Sequence, residues 1–324
     1  MKGRRPPLTS GPSMQAPAPT EPTAVERGDG GGRTASAARD ETSGRRLGLP
    51  NLIVIGAQKC GTSGLHYYLG LHPEVSMSSP KELNFFIAER NWCRGLQWYA
   101  RHFDHSARCR GESSPNYAAF PQHMGVPERM AEVVPDAKLI YIVRDPLERI
   151  AAHYVHNFAK RREKGDLRQT LLHPNTSYVA RSRYFTQLQR FLEFYDRDRV
   201  LVIENCGLRD ERAATLRRVF EFAGVDPGFE HPKFDQVRHS TSRKKRATKM
   251  GMRVQKMSRT RFGRRIPRRA WLALDVALPL SKPISKPPME ELREALGPDV
   301  LEVLHEDAER LRQFTGRDLA NWSV

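Results

Sequence analysis

Long apolar runs are missing from this 324-residue chain, and so are closely spaced cysteines. No stretch approaches the roughly 18 consecutive apolar residues that a membrane-crossing helix needs, so no transmembrane segment is expected. The N-terminus is basic but no apolar core follows it, which argues against a secretory signal peptide. Cys60, Cys93, Cys109 and Cys206 have neither the spacing of a zinc site nor that of a disulfide framework. These absences predict a cytoplasmic protein in a reducing compartment, with no metal.

Two absences are local. Residues 1–49 hold almost no large apolar side chains and are rich in Pro, Gly, Ala, Ser, Thr and Arg. Such a segment buries too little surface to offset its ordering entropy, which predicts a disordered tail ahead of a domain spanning 50–324. From Arg238 to Arg269 there is no Asp or Glu, while Arg and Lys recur throughout. This segment, 238–269, reads as basic and flexible, and most of the formal charge of +17 comes from it. A pI near 10.1 implies an anionic partner. On charge alone, nucleic acid, acidic lipid, anionic glycan and nucleotide phosphates all stay open.

What is present is a strand–helix alternation. Leu52–Ile55 is a short apolar run, followed by a helical pattern from Thr62 to Leu71 that His72-Pro73 closes. Lys138–Val143 is a second run, and Pro146 behind it suits the first turn of a helix. A third, Val200–Ile203, precedes apolar residues at helical spacing (Leu216, Val219, Phe220, Ala223) that end at Gly224. Buried-looking strands alternating with helices predict an α/β fold with a central parallel sheet flanked by helices. Residues 289–314 read as a C-terminal helix.

The turn after the first strand is Gly56-Ala57-Gln58-Lys59-Cys60-Gly61-Thr62-Ser63. Its glycines have the spacing of a nucleotide-binding loop, yet the lysine stands two residues before the second glycine instead of after it. Backbone amides at a helix N-terminus still make an anion site. By glycine spacing alone, an ordinary strand–turn–helix corner remains open.

The order Lys-x-Gly-Thr-[Ser/Thr] after a strand, with a helix ending Leu-His-Pro, resembles the sulfotransferases that use 3′-phosphoadenosine 5′-phosphosulfate (PAPS). The likeness is to the heparan-sulfate-sulfotransferase-like branch and its bacterial relatives. It continues through "SPKELNFF" (79–86), "GESSPNY" (111–117), "YIVRDPLERIAAHY" (141–154), "SRYFTQLQRFLEFY" (182–195) and the closing "GRDLANW". The resemblance implies a P-loop-like sulfotransferase fold and PAPS as co-substrate, with no metal.

By that resemblance, Cys60, Gly61, Thr62 and Ser63 lie in the loop that holds the 5′-phosphate, and Lys59 reaches the oxygen bridging sulfur and phosphorus. Glu82 corresponds to the catalytic base. On the residues alone it reads first as a solvated partner of Lys81, whereas partial burial beside Phe85 and Phe86 would make it more basic. Arg144 matches the arginine that holds the 3′-phosphate. Ala152 stands where relatives offer a serine hydroxyl to that phosphate, and Ser113 where they often carry lysine. Arg243, Lys244 and Lys245 fall in a loop expected to close over the nucleotide. His66, His72, His153 and His156 read as structural. The acceptor implied is a small molecule, a glycolipid or a glycan, sulfated on a hydroxyl or an amine. No specific nucleic acid is expected, only weak anionic-surface contact through the basic segment. The alternatives are a P-loop kinase or ATPase, and a basic nucleic-acid-binding protein on a degraded version of the fold.

Overall fold

The computed structural model describes residues 48–163, 167–171, 176–236, 245–248, 250, 253–254, 257 and 281–324. The expected N-terminal tail therefore lies almost wholly outside the described residues, as do Arg243, Lys244 and most of the basic segment.

Five strands, β1 (Leu52–Gly56), β2 (Val75–Met77), β3 (Cys109–Ser113), β4 (Lys138–Val143) and β5 (Val200–Glu204), form one sheet in the order β2-β3-β1-β4-β5. Every pairing is parallel, with Leu52 opposite Gly111 on one side and Lys138 on the other. All five residues of β1 are buried, as a parallel strand covered on both faces requires. The central parallel sheet expected from the strand runs is therefore present.

Helices cover both faces. In chain order they are α1 (Thr62–Leu69), α2 (Gly95–Ala100), α3 (Val126–Val133), α4 (Pro146–Ala159), α5 (Leu167–Leu171), α6 (Ser177–Ala180), α7 (Tyr184–Leu192), α8 (Asn205–Asp210) and α9 (Arg212–Ala223). After a two-stranded antiparallel pair, β6 (Lys245–Ala247) with β7 (Ser281–Pro283), come α10 (Met289–Leu296) and α11 (Pro298–Thr315). The single C-terminal helix expected over 289–314 is thus two helices. Gly297 adopts φ 75° between them, and Pro298 begins the second.

α1 also stops earlier than its Leu-His-Pro ending suggested. Gly70 closes it through its N–H to His66 O (3.1 Å). His72 is buried beyond it, its ring bonding Asp226 O and the Glu74 N–H, which is a structural role as expected.

The main core surrounds the sheet, and a second apolar cluster joins α4, α5 and α6 to α10 and α11 through Leu147, Ile150, Val179, Leu292 and Leu304. The strand order reverses around β1, so the carboxyl ends of β1, β3 and β4 open onto one crevice. Ligands of open parallel sheets bind at such a switch point.

Candidate functional site

The loop leaving β1 is fixed from three sides. Ala57 N–H donates to Ile142 O on β4 (2.8 Å), and Cys60 N–H turns back to Ala57 O (3.2 Å). Asn205, the first residue of α8, donates its side-chain amide to Cys60 O (2.7 Å). Gly61 has φ 106°, and a Cβ there would lie 2.6 Å from Asn205 Nδ2. Only glycine fits that position. Behind it α1 begins at Thr62, where the Gly64 and Leu65 N–H groups turn back to Gly61 O and the Thr62 and Ser63 amides are left to face any anion at the helix N-terminus.

Glu82 stands on a second rigid loop. Its N–H donates to Ser113 O at the end of β3 (3.1 Å), and both Glu82 (φ 67°) and Asn84 (φ 48°) hold left-handed backbone conformations. Asn84 supports the turn by donating Nδ2 to Glu82 O (2.7 Å), and its own N–H donates to Ser114 Oγ (2.9 Å). Beneath them lies Glu112, fully buried, which accepts from Ser114 Oγ (2.5 Å), Tyr117 OH (2.8 Å) and Tyr99 OH. Burial pushes the Glu112 carboxyl above the usual range, while the three hydroxyl donors pull it back.

The Glu82 carboxylate itself is 44 % exposed and pairs with Lys81 Nζ at 2.7 Å. Phe85 and Phe86 are buried in the core, where Phe85 stacks on Tyr99 and both rings lie tilted against Trp92. The ion pair with Lys81 is therefore formed, and the burial beside the two phenylalanines is not.

Lys59, Gly61, Thr62, Ser63 and Glu82 line one cavity of about 590 Å³. Its remaining wall is polar and strongly cationic. Arg90, Lys160, Arg162 and Arg181 face it together with Asn116, Gln122, His153, His156 and Asn157. Arg181 is only 5 % exposed, and Arg149 behind it is fully buried. Among the described residues neither guanidinium forms an ion pair with a carboxylate. Arg149 instead donates to Ser182 Oγ (2.7 Å) and Tyr178 O (2.6 Å). Burial, then the Arg149 charge, push the Arg181 pKa down to about 9, still cationic at pH 7. Burial, Arg149, Arg181 and Lys59 hold His153 far below the ordinary histidine range, so its imidazole is neutral.

Other expected site residues fall elsewhere. Cys60 is buried away from the cavity against Tyr184 OH (3.5 Å), and burial pushes its thiol up. Arg144, at the end of β4, pairs with Glu148, which also accepts from Lys286 Nζ (2.9 Å). Ala152 is fully buried on α4. Neither Arg144 nor Ala152 faces the cavity that holds Lys59 and Glu82. Ser113 is buried in β3. Lys245 is in β6, and Arg243 and Lys244 lie outside the described residues.

Sequence reasoning read His153 and His156 as structural, yet both line the cavity. It also passed over Asn205, Asn116, Arg90 and Arg181. Arg181 directly precedes the 182–195 motif, but one arginine in an arginine-rich chain has no spacing to single it out.

The Sulfotransferase domain family matches residues 49–273. The chain is 30% identical over 204 residues to the human bifunctional heparan sulfate N-deacetylase/N-sulfotransferase 2, covering 55% of this chain and 22% of that protein. It is 38% identical over 116 residues to the membrane-associated sulfotransferase kil1 of Dictyostelium discoideum, covering 34% of this chain and 24% of that protein. The chain thus matches under a quarter of the length of these relatives. Among solved structures, a sulfotransferase from Alicyclobacillus acidocaldarius superposes with a TM-score of 0.51 at 26% identity, covering 70% of this chain and 93% of that one. These relatives correct the cytoplasmic location expected from the sequence, since one is itself membrane-associated. No described helix is long and apolar enough to cross a membrane, but membrane association does not require a span. The missing apolar run therefore did not bear on the compartment.

Proposed function

The chain belongs to the sulfotransferase domain family, whose chemistry is sulfuryl transfer, and from that premise we propose that PAPS is the donor substrate. The acceptor is a hydroxyl or amine of a small molecule, glycolipid or glycan. One observation carries this reading: Lys59, Glu82 and the helix N-terminus at Gly61–Ser63 line a single cavity.

The amides and hydroxyls of Gly61, Thr62 and Ser63 hold the 5′-phosphate. Glu82 takes the proton as the acceptor oxygen or nitrogen bonds to sulfur. The sulfur–oxygen bond opposite breaks, and its electron pair stays on the phosphate oxygen next to Lys59. Charge grows on that oxygen only as the bond breaks, so the ammonium stabilises the transition state more than the ground state. The neighbouring Asn205 and Asn84 keep both loops in place, and such positioning is worth a large share of the barrier.

The 3′-phosphate is assigned to Arg144, assisted by Lys245 and by Arg243 and Lys244. Arg144 is half-buried against Glu148, whose carboxylate a phosphate would replace, and a guanidinium suits a bidentate contact. Calorimetry with 3′-phosphoadenosine 5′-phosphate (PAP), AMP and ATP tests the donor. PAP is expected to bind at least ten-fold more tightly than AMP, and Arg144→Ala to abolish the difference. Equal affinity for the three nucleotides overturns the assignment.

A further inference from the structure

The cavity has more positive charge than a phosphosulfate bound at Gly61–Ser63 and Lys59 uses, since Arg90, Lys160, Arg162 and Arg181 line it as well. Arg181 is the clearest case. Its side chain is nearly inaccessible, lines the cavity, and has no carboxylate partner among the described residues. Its Nη1 donates to Asn116 Oδ1 (3.0 Å) and its Nη2 to Gln122 Oε1, while Nε has no partner. Two amide oxygens fix the plane of the guanidinium without neutralising it. A buried cation left in that state is unfavourable until an anion meets it.

The same side chain is connected to the loop of the proposed base. Asn116 donates Nδ2 to Asn84 Oδ1 (3.0 Å), and Asn84 donates to Glu82 O (2.7 Å). Whatever rests on Arg181 is thereby held in register with the Glu82 turn, not with the α1 N-terminus. Arg90, exposed and on the cavity rim, adds a second cation there.

We propose that Arg181, with Arg90 at the rim, is an oxyanion subsite for the acceptor, taking a carboxylate, sulfate or phosphate carried near the group to be sulfated. The inference rests on the sulfotransferase reading above and adds the acceptor's chemical class. It makes Arg181 a specificity residue: a neutral acceptor leaves the buried guanidinium with only the more distant Glu82 charge near it, and an acidic one pairs with it directly.

The test is a ligand-observed NMR titration of the full chain loaded with PAP. The probes are methyl glucuronide against methyl glucuronamide, and glucose 6-sulfate and glucose 6-phosphate against glucose. Each charged probe is expected to bind at least ten-fold more tightly than its neutral counterpart. Arg181→Gln should remove that preference while PAP affinity stays within two-fold. Should Arg181→Gln fold poorly, Arg181→Lys and the exposed Arg90→Ala replace it. The first should retain part of the preference, and the second should weaken the charged probes alone by three-fold or more. Equal binding of charged and neutral probes, no binding of either, or a preference that survives in the Arg181 and Arg90 variants overturns the proposal. So does a five-fold or greater loss of PAP or PAPS affinity in Arg181→Gln, which would give the arginine to the donor. Preference for PAP over AMP, measured on the same samples, reports on the donor separately. If that preference is absent while the charged probes still bind through Arg181, the donor reading fails and the anion subsite stands.

Discussion

The Glu82 carboxylate and the Lys81 ammonium lie 2.7 Å apart at the mouth of the cavity that Lys59 also lines. A base in that position is held by its neighbour yet stays open to solvent and substrate. Glu82→Gln keeps the shape and removes the proton acceptor. It is expected to lower kcat by about 10²–10⁴-fold, the usual contribution of a general base, with PAP affinity within two-fold. A rate assay with labelled PAPS measures the first and calorimetry the second. A kcat within three-fold of wild type would dismiss Glu82 as the base.

Under that loop, Glu112 collects hydroxyl donors from Ser114, Tyr99 and Tyr117, and the last of these also accepts from the Phe85 N–H (2.9 Å). Glu112→Gln sets an amide donor against hydroxyls already arranged to donate. One buried group left unsatisfied costs about 1–3 kcal/mol, so urea unfolding should show a loss of that size. Because Asn84 and Phe85 are anchored on the same hydroxyls, kcat should fall about ten-fold as well. Loss of stability with kcat unchanged would show that the network does not position Glu82.

The fold was legible because its signals are local. Leu52–Ile55, Leu139–Val143 and Val200–Ile203 are apolar throughout, as the strands of a helix-covered parallel sheet tend to be, and each runs into a turn and a helix. Gly61 was legible for a similar reason, since a turn opening a helix needs its left-handed backbone. The cavity wall was not. Arg181, Asn116 and Arg90 come from three separate segments, and only the folded sheet brings them beside Glu82. His153 and His156 sit on α4 at a spacing that a structural helix also uses, so nothing in the sequence separates the two roles. The break at Gly297 was hidden by apolar periodicity that continues across it. The compartment was misjudged because it depends on features outside a core's patterning.

Arg144 and Lys286 share one carboxylate, that of Glu148. If Arg144 receives the 3′-phosphate, Glu148 competes with it for both cations. Glu148→Gln should therefore raise PAP affinity by about three- to ten-fold and leave AMP unchanged, a gain of roughly 0.7–1.4 kcal/mol. Ala152→Ser should bring no such gain, because position 152 is fully buried and a hydroxyl there bonds back to its own helix. Calorimetry on both variants decides the point. Weaker PAP binding in Glu148→Gln would show that the carboxylate orders the arginine rather than competing for it.

His66 gives the acid side of the stability curve a defined shape. Burial, then the Lys81 charge, push its pKa down to about 4, from about 6.5 in the unfolded chain. Between those values the unfolded chain binds a proton that the folded chain excludes, so stability is fully present above pH 6.5 and falls as pH drops toward 4. Below 4 both states are protonated and the loss levels off. The shift corresponds to roughly 2–3 kcal/mol, at about 1.4 kcal/mol per pH unit and with some allowance for residual solvent access. His66→Gln, which cannot titrate, should lose that much less stability than wild type between pH 6.5 and 4 in urea unfolding. His153, also held neutral by burial and by Arg149, Arg181 and Lys59, adds a loss of the same sign on the acid side, so the double variant with His153→Asn should show the flattest acid limb. Parallel acid limbs in wild type and His66→Gln would mean that His66 is protonated in the folded protein.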